Sequence, residues 1–64
     1  MKVGDFIKFN ETAIAIHNDH AIGFIAGDVY TDSDGDKMIP VYWTDINKRF
    51  DEMVEELEVI SEGR

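Results

Sequence analysis

Phe50-Asp51-Glu52-Met53-Val54-Glu55-Glu56-Leu57-Glu58-Val59-Ile60-Ser61 decides the fold of this 64-residue chain, because it supports two incompatible readings. Ile46, Phe50, Met53, Val54, Leu57 and Ile60 or Ser61 recur at helical spacing, and Thr44 or Asp45 stands where a helix N-cap belongs. Taken alone, that spacing predicts an amphipathic helix. Leu57-Glu58-Val59-Ile60 instead sets Leu57 and Val59 against Glu58, the alternation of a half-buried strand. On that second reading Phe50 to Val54 is a strand, Glu55-Glu56 a tight turn of 3₁₀ type, and Leu57 to Ile60 the closing strand. Spacing leaves both open.

Outward from this stretch, the chain reads as short strands with turn punctuation. Val3-Gly4-Asp5-Phe6-Ile7-Lys8-Phe9 predicts a first strand entered through a Gly4-Asp5 bend, placed to meet the last strand in a small closed barrel. Ala13 to Ile16 is too brief for its period to decide; one helical turn capped by Thr12 and an irregular strand both fit. Ala21 to Tyr30 predicts a second strand, in which Gly23 and Gly27 mark a bulge, a bend or a close backbone approach. Thr31 to Asp36 is a hairpin turn, with Asp34-Gly35 suited to positive φ. Met38 to Trp43 returns as a third strand, where Pro40 must face an edge, a bulge or solvent because it has no N–H to donate. Phe6, Phe24 and Trp43 are the expected core aromatics.

The Val-Gly-Asp opening before an apolar strand, the Gly23-Phe24-Ile25 strand, Val41-Tyr42-Trp43-Thr44-Asp45 and the Leu57-Glu58-Val59-Ile60-Ser61 close together resemble the small SH3-like β-barrel proteins of tailed bacteriophages. The likeness covers Val3 to Ser61. It implies an all-β, five-stranded SH3-like barrel with one short helical or 3₁₀ turn, and it favours the strand reading of the C-terminal third. It carries over no catalytic residues. The chain departs from the pattern in its long loop after the first strand, and in lacking a glycine after Trp43-Thr44-Asp45.

Size and charge bound the function. Sixty-four residues hold one domain, spanning 1–64, and a core of that size rarely supplies more than about 3–5 kcal/mol. With no cysteine, disulfides and thiolate zinc sites are excluded, which leaves self-association as the expected source of added stability. No run approaches the ~20 apolar residues that span a bilayer, and no basic segment precedes an apolar leader, so a soluble, cytoplasmic protein is expected, in the host cytoplasm if phage-encoded. The net charge is −8, with no Lys or Arg between Lys8 and Lys37 and a second acidic run in Asp51, Glu52, Glu55, Glu56, Glu58 and Glu62. Direct nucleic-acid binding and anionic membranes are disfavoured, since both draw affinity from Lys and Arg.

Candidate chemistry is thin. Asp32-Ser33-Asp34-Gly35-Asp36 resembles a cation loop, but aligning Gly35 with an EF-hand glycine puts Tyr30 and Val41 where carboxylate ligands belong, so a solvated turn is the expectation. His17 and His20 lack a third ligand nearby. Ser33 and Ser61 lie in turn or terminal positions without an adjacent base, and no glycine-rich phosphate loop is present. These absences predict a non-enzymatic protein without cofactors. Its expected role is protein interaction or structure, with itself or a basic host protein as partner. Tyr30, Tyr42, Glu52, Glu55 and Glu56 are the candidate contact residues. The alternative is an acidic inhibitor or nucleic-acid mimic that occupies a basic site on a host protein.

Overall fold

In the computed structural model, which describes residues 1–61, the chain enters its first strand through a turn stitched at both ends. Gly4 adopts φ +94°, a conformation that L side chains rarely reach, and the Asp5 carboxylate accepts from the Lys2 backbone N–H at 3.0 Å. The Gly4 N–H donates to the Ile25 carbonyl at 3.0 Å and the Ile25 N–H to the Asp5 carbonyl at 2.9 Å, which fixes the turn against a neighbouring strand. Strand β1 (Phe6–Phe9) follows.

The Ala13 to Ile16 segment is helical, inside α1 (Glu11–His17). Its cap is Asn10 rather than Thr12: the Asn10 side chain accepts from the Ala13 N–H at 3.0 Å, and Asn18 ends the helix at φ 54°. Ala13 is buried and Ile14 packs against the core, so α1 covers one end of the sheet.

The expected second strand is broken in two, β2 (Ile22–Ile25) and β3 (Tyr30–Thr31), both on one side of β4 (Lys37–Trp43). Pro40 explains the break. Between the Ile25–Val41 and Tyr30–Met38 pairs lie four residues on one side and two on the other, Ile39 and Pro40. Pro40 has no N–H to offer there; its carbonyl accepts from Ala26 at 2.9 Å, and a Cβ on Gly27 would stand 3.0 Å from the Pro40 ring.

The C-terminal third is strand, 3₁₀ turn, strand: β5 (Lys48–Met53), Val54–Glu56, then β6 (Leu57–Ser61). The helical spacing loses to a six-pair antiparallel ladder between β5 and β4, running from Met38–Met53 to Trp43–Lys48. Two members of the supposed apolar stripe, Ile46 and Phe50, are about half exposed in this hairpin.

The protein is therefore a mostly antiparallel all-β fold with one short helix. β2 and β3 share one edge of β4 and β5 takes the other, while beyond β2 the strands run β1 and then β6. First and last strands pair as expected, through Phe9–Leu57, Lys8–Glu58 and Ile7–Val59. The expected ring of strands is not closed: among the described residues no ladder joins β5 to β6. The 3₁₀ turn fills that seam instead, its Glu55 and Glu56 carbonyls accepting from the Asn10 side chain at 2.6 Å and the Asn10 backbone at 2.8 Å.

Ile7, Phe9, Ala13, Ile25, Ile39, Val41, Trp43 and Leu57 form one buried core. Trp43 belongs to it as expected, but Phe6 is 44% exposed and Phe24 only partly buried. Alternation is the reason: Ile7 and Phe9 on β1 and Ile25 on β2 point inward, which turns Phe6 and Phe24 to the outer face.

Candidate functional site

The β4–β5 hairpin turns at Thr44–Asn47, where Asn47 stands at φ 52° and does the work of the missing glycine. Its Oδ1 accepts from the Tyr42 hydroxyl at 3.1 Å, and the Thr44 hydroxyl donates to the Ile22 carbonyl at 3.1 Å, tying the turn to β4 and β2. Beyond this turn the inner face of the hairpin opens into a cleft of about 310 Å³. Trp43, Ile46 and Phe50 give it apolar walls; Asp19, Asp45 and Glu52 give it carboxylates.

Trp43 is fixed on both sides. Its ring stacks on Phe9 at 5.0 Å between centroids, and its indole N–H donates to a Glu52 carboxylate oxygen at 2.9 Å. Burial pushes the Glu52 carboxyl above its usual pKa, the Trp43 hydrogen bond opposes that rise, nearby Glu56 and Asp19 add to it, and His17 works against it. Ionised Glu52 is thus an anion with incomplete compensation, beside two apolar residues, Ile46 and Phe50, that are about half exposed. Such a cleft suits a cation on an apolar stem: the head meets carboxylates, and the stem lies along Ile46 and Phe50.

The five residues expected to contact a partner fall into three places. Glu52 is in the cleft. Tyr30 and Tyr42 are on the outer face, where the Tyr30 hydroxyl donates to the Asp51 carboxylate and Tyr42 stacks on Phe24 at 5.2 Å. That bond to Asp51 raises the Tyr30 pKa. Glu55 and Glu56 sit on the 3₁₀ turn, with the Glu56 carboxylate 3.6 Å from His17 Nε2. Asp19, Asp45, Ile46 and Phe50 were not singled out by sequence. The β4–β5 register, which sets Trp43 opposite Lys48 and so places Phe50 and Glu52 on its face, and the loop after α1, which carries Asp19, bring them together.

The Asp32, Asp34 and Asp36 carboxylates approach within 4.8 Å of one another, yet Asp32 Oδ1 already accepts from the Asp34 and Asp36 amides at 3.0 and 2.9 Å. With Gly35 at φ +87°, this is a self-capped hairpin turn. No helix among the described residues is long and apolar enough to cross a membrane. No family model, no curated protein and no solved structure matches the chain.

Proposed function

We propose that this chain is a non-enzymatic interaction module, an SH3-like barrel of the kind found among tailed bacteriophages, that holds a basic segment of a partner protein in the cleft beside Trp43. The strand order supports the barrel reading: a first strand between the second and the last, a three-residue 3₁₀ turn before the last strand, and a long hairpin on the far side. One observation carries the function. Glu52, Asp45 and Asp19 stand around exposed Ile46 and Phe50, so the cleft answers both ends of a lysine or arginine side chain.

Amide chemical-shift mapping with a short lysine-rich peptide tests this reading. Shifts confined to the residues around Trp43, Asp45, Phe50 and Glu52, and weakened in Glu52→Gln, support it. Shifts spread over all the acidic surfaces, with an affinity that collapses with salt, support the nucleic-acid-mimic alternative instead. No shifts at millimolar peptide sink both.

A further inference from the structure

Strand β5 is hydrogen-bonded on one side only. Its ladder runs to β4, and among the described residues no strand pairs with its other edge. Pro40 fixes which groups that edge offers. The Pro40 carbonyl points at Ala26, so in the alternating backbone of β4 its neighbours Ile39 and Val41 point theirs at β5. Their register partners Glu52 and Phe50 are thereby used within the fold, while Arg49 and Asp51 each turn an N–H and a C=O to the open side. Lys48 to Asp51 are exposed, and Phe50 in their midst is 48% exposed. A free edge of this kind is a template for another strand.

The order of charges along the strand selects the occupant. β5 reads Lys48-Arg49-Phe50-Asp51-Glu52: two cations, a ring, two anions. Laid antiparallel to itself about a two-fold axis at Phe50, it sets Arg49 against Asp51 of the mate and Lys48 against Glu52 of the mate, each twice. The backbone agrees with the charges, since Arg49 and Asp51 carry the free groups and become the hydrogen-bonded pair. Slipping the pairing by two residues puts Arg49 on Arg49 or Asp51 on Asp51, so this register is the one that charge favours. Among the described residues Lys48 and Arg49 are in no ion pair. Asp51 and Glu52 each spend one carboxylate oxygen on a neutral donor, the Tyr30 hydroxyl and the Trp43 indole, and keep their charge for a cation.

We infer that the free edge of β5 is the interface of a homodimer, in which the sheets of two copies join edge to edge. Arg49 and Asp51 of each copy exchange backbone hydrogen bonds with Asp51 and Arg49 of the other. The Arg49–Asp51 ion pairs lie on the outer face, the Lys48–Glu52 pairs on the cleft side, and the two Phe50 side chains cover each other at the axis. The inference goes beyond the cleft reading and stands without it, because it rests on the strand edge and shares only Glu52 with the cleft.

Sedimentation equilibrium of the intact chain, from micromolar to millimolar protein at about 0.15 M salt, reads the association directly. A monomer–dimer equilibrium is expected. Arg49→Asp and Asp51→Arg each weaken it by about tenfold or more, because each places two like-charge pairs in the interface. An equimolar mixture of R49D and D51R has complementary edges again and associates to within about threefold of wild type. The mixture also controls for the Tyr30 bond that D51R loses, and a cooperative thermal melt confirms that each variant is folded. Amide exchange at Arg49 and Asp51 slows as protein concentration rises. A monomer at every concentration overturns the inference. So does a dimer indifferent to both substitutions, or a mixture that associates no better than its separate variants.

Discussion

Glu52 accepts the indole N–H of Trp43 at 2.9 Å while burial holds its pKa above the ordinary carboxylate value. The folded chain therefore binds the Glu52 proton more tightly than the unfolded chain does. The resulting stability is fully present below the unfolded pKa and is lost as pH rises through the folded one. Glu52→Gln keeps an acceptor for Trp43 and removes the charge. Thermal unfolding between about pH 4 and 7 is expected to show wild type losing stability relative to E52Q as pH rises. A difference that grows in the other direction refutes the assignment.

Gly23 pairs with Trp43 at a contact with no room for a side chain. A Cβ there would lie 2.7 Å from the Tyr42 carbonyl oxygen, 2.8 Å from the Trp43 ring and 2.9 Å from a Val41 methyl. Gly23→Ala is expected to cost about 1–3 kcal/mol as overpacking, a large share of what a core this small supplies. Urea unfolding monitored at Trp43 measures it, and an unchanged midpoint contradicts the packing described.

Asn10 joins helix α1 to the seam between β5 and β6. Asn10→Ala removes the N-cap acceptor and the bond to the Glu55 carbonyl, for an expected loss of about 1–2 kcal/mol. Asn10→Asp keeps the cap and loses the donor, so it should fall between alanine and wild type in chemical denaturation. Equal losses for Ala and Asp would show that the cap carries none of the effect.

Asn47 holds the β4–β5 turn at positive φ. Asn47→Gly should stay close to wild type, whereas Asn47→Val should lose roughly 1–2 kcal/mol, since a β-branched side chain resists the left-handed region. Comparing the two melting curves separates backbone strain from the Tyr42 hydroxyl bond, which both variants lose alike.

Much of the fold was legible because the deciding signals were local. Leu57-Glu58-Val59 alternates, Gly35 demands positive φ, and Val3-Gly4-Asp5 announces a turn. What escaped depended on partners far away in sequence. Pro40 splits the second strand through its effect on Ala26 to Val29 across the sheet, and Phe6 and Phe24 face outward because β1 and β2 place Ile7 and Ile25 in the core. The cleft was less legible than the fold. Glu52 stood out as an acid, but its proximity to Trp43, Asp19 and Asp45 follows from one ladder register and one loop, and no spacing rule encodes either.

Binding of a basic side chain in the Trp43 cleft would be reported by Trp43 itself, the chain's only tryptophan. The direct measurement is a fluorescence titration of Trp43 with a short lysine-bearing peptide, against the same peptide with glutamate in place of lysine. A saturable change is expected for the lysine peptide, with a dissociation constant of about 10⁻⁵ to 10⁻³ M that weakens about tenfold or more in Glu52→Gln together with Asp45→Asn. Binding is also expected to strengthen as pH rises through the Glu52 titration. No saturable change, or the same change with the glutamate peptide, contradicts it.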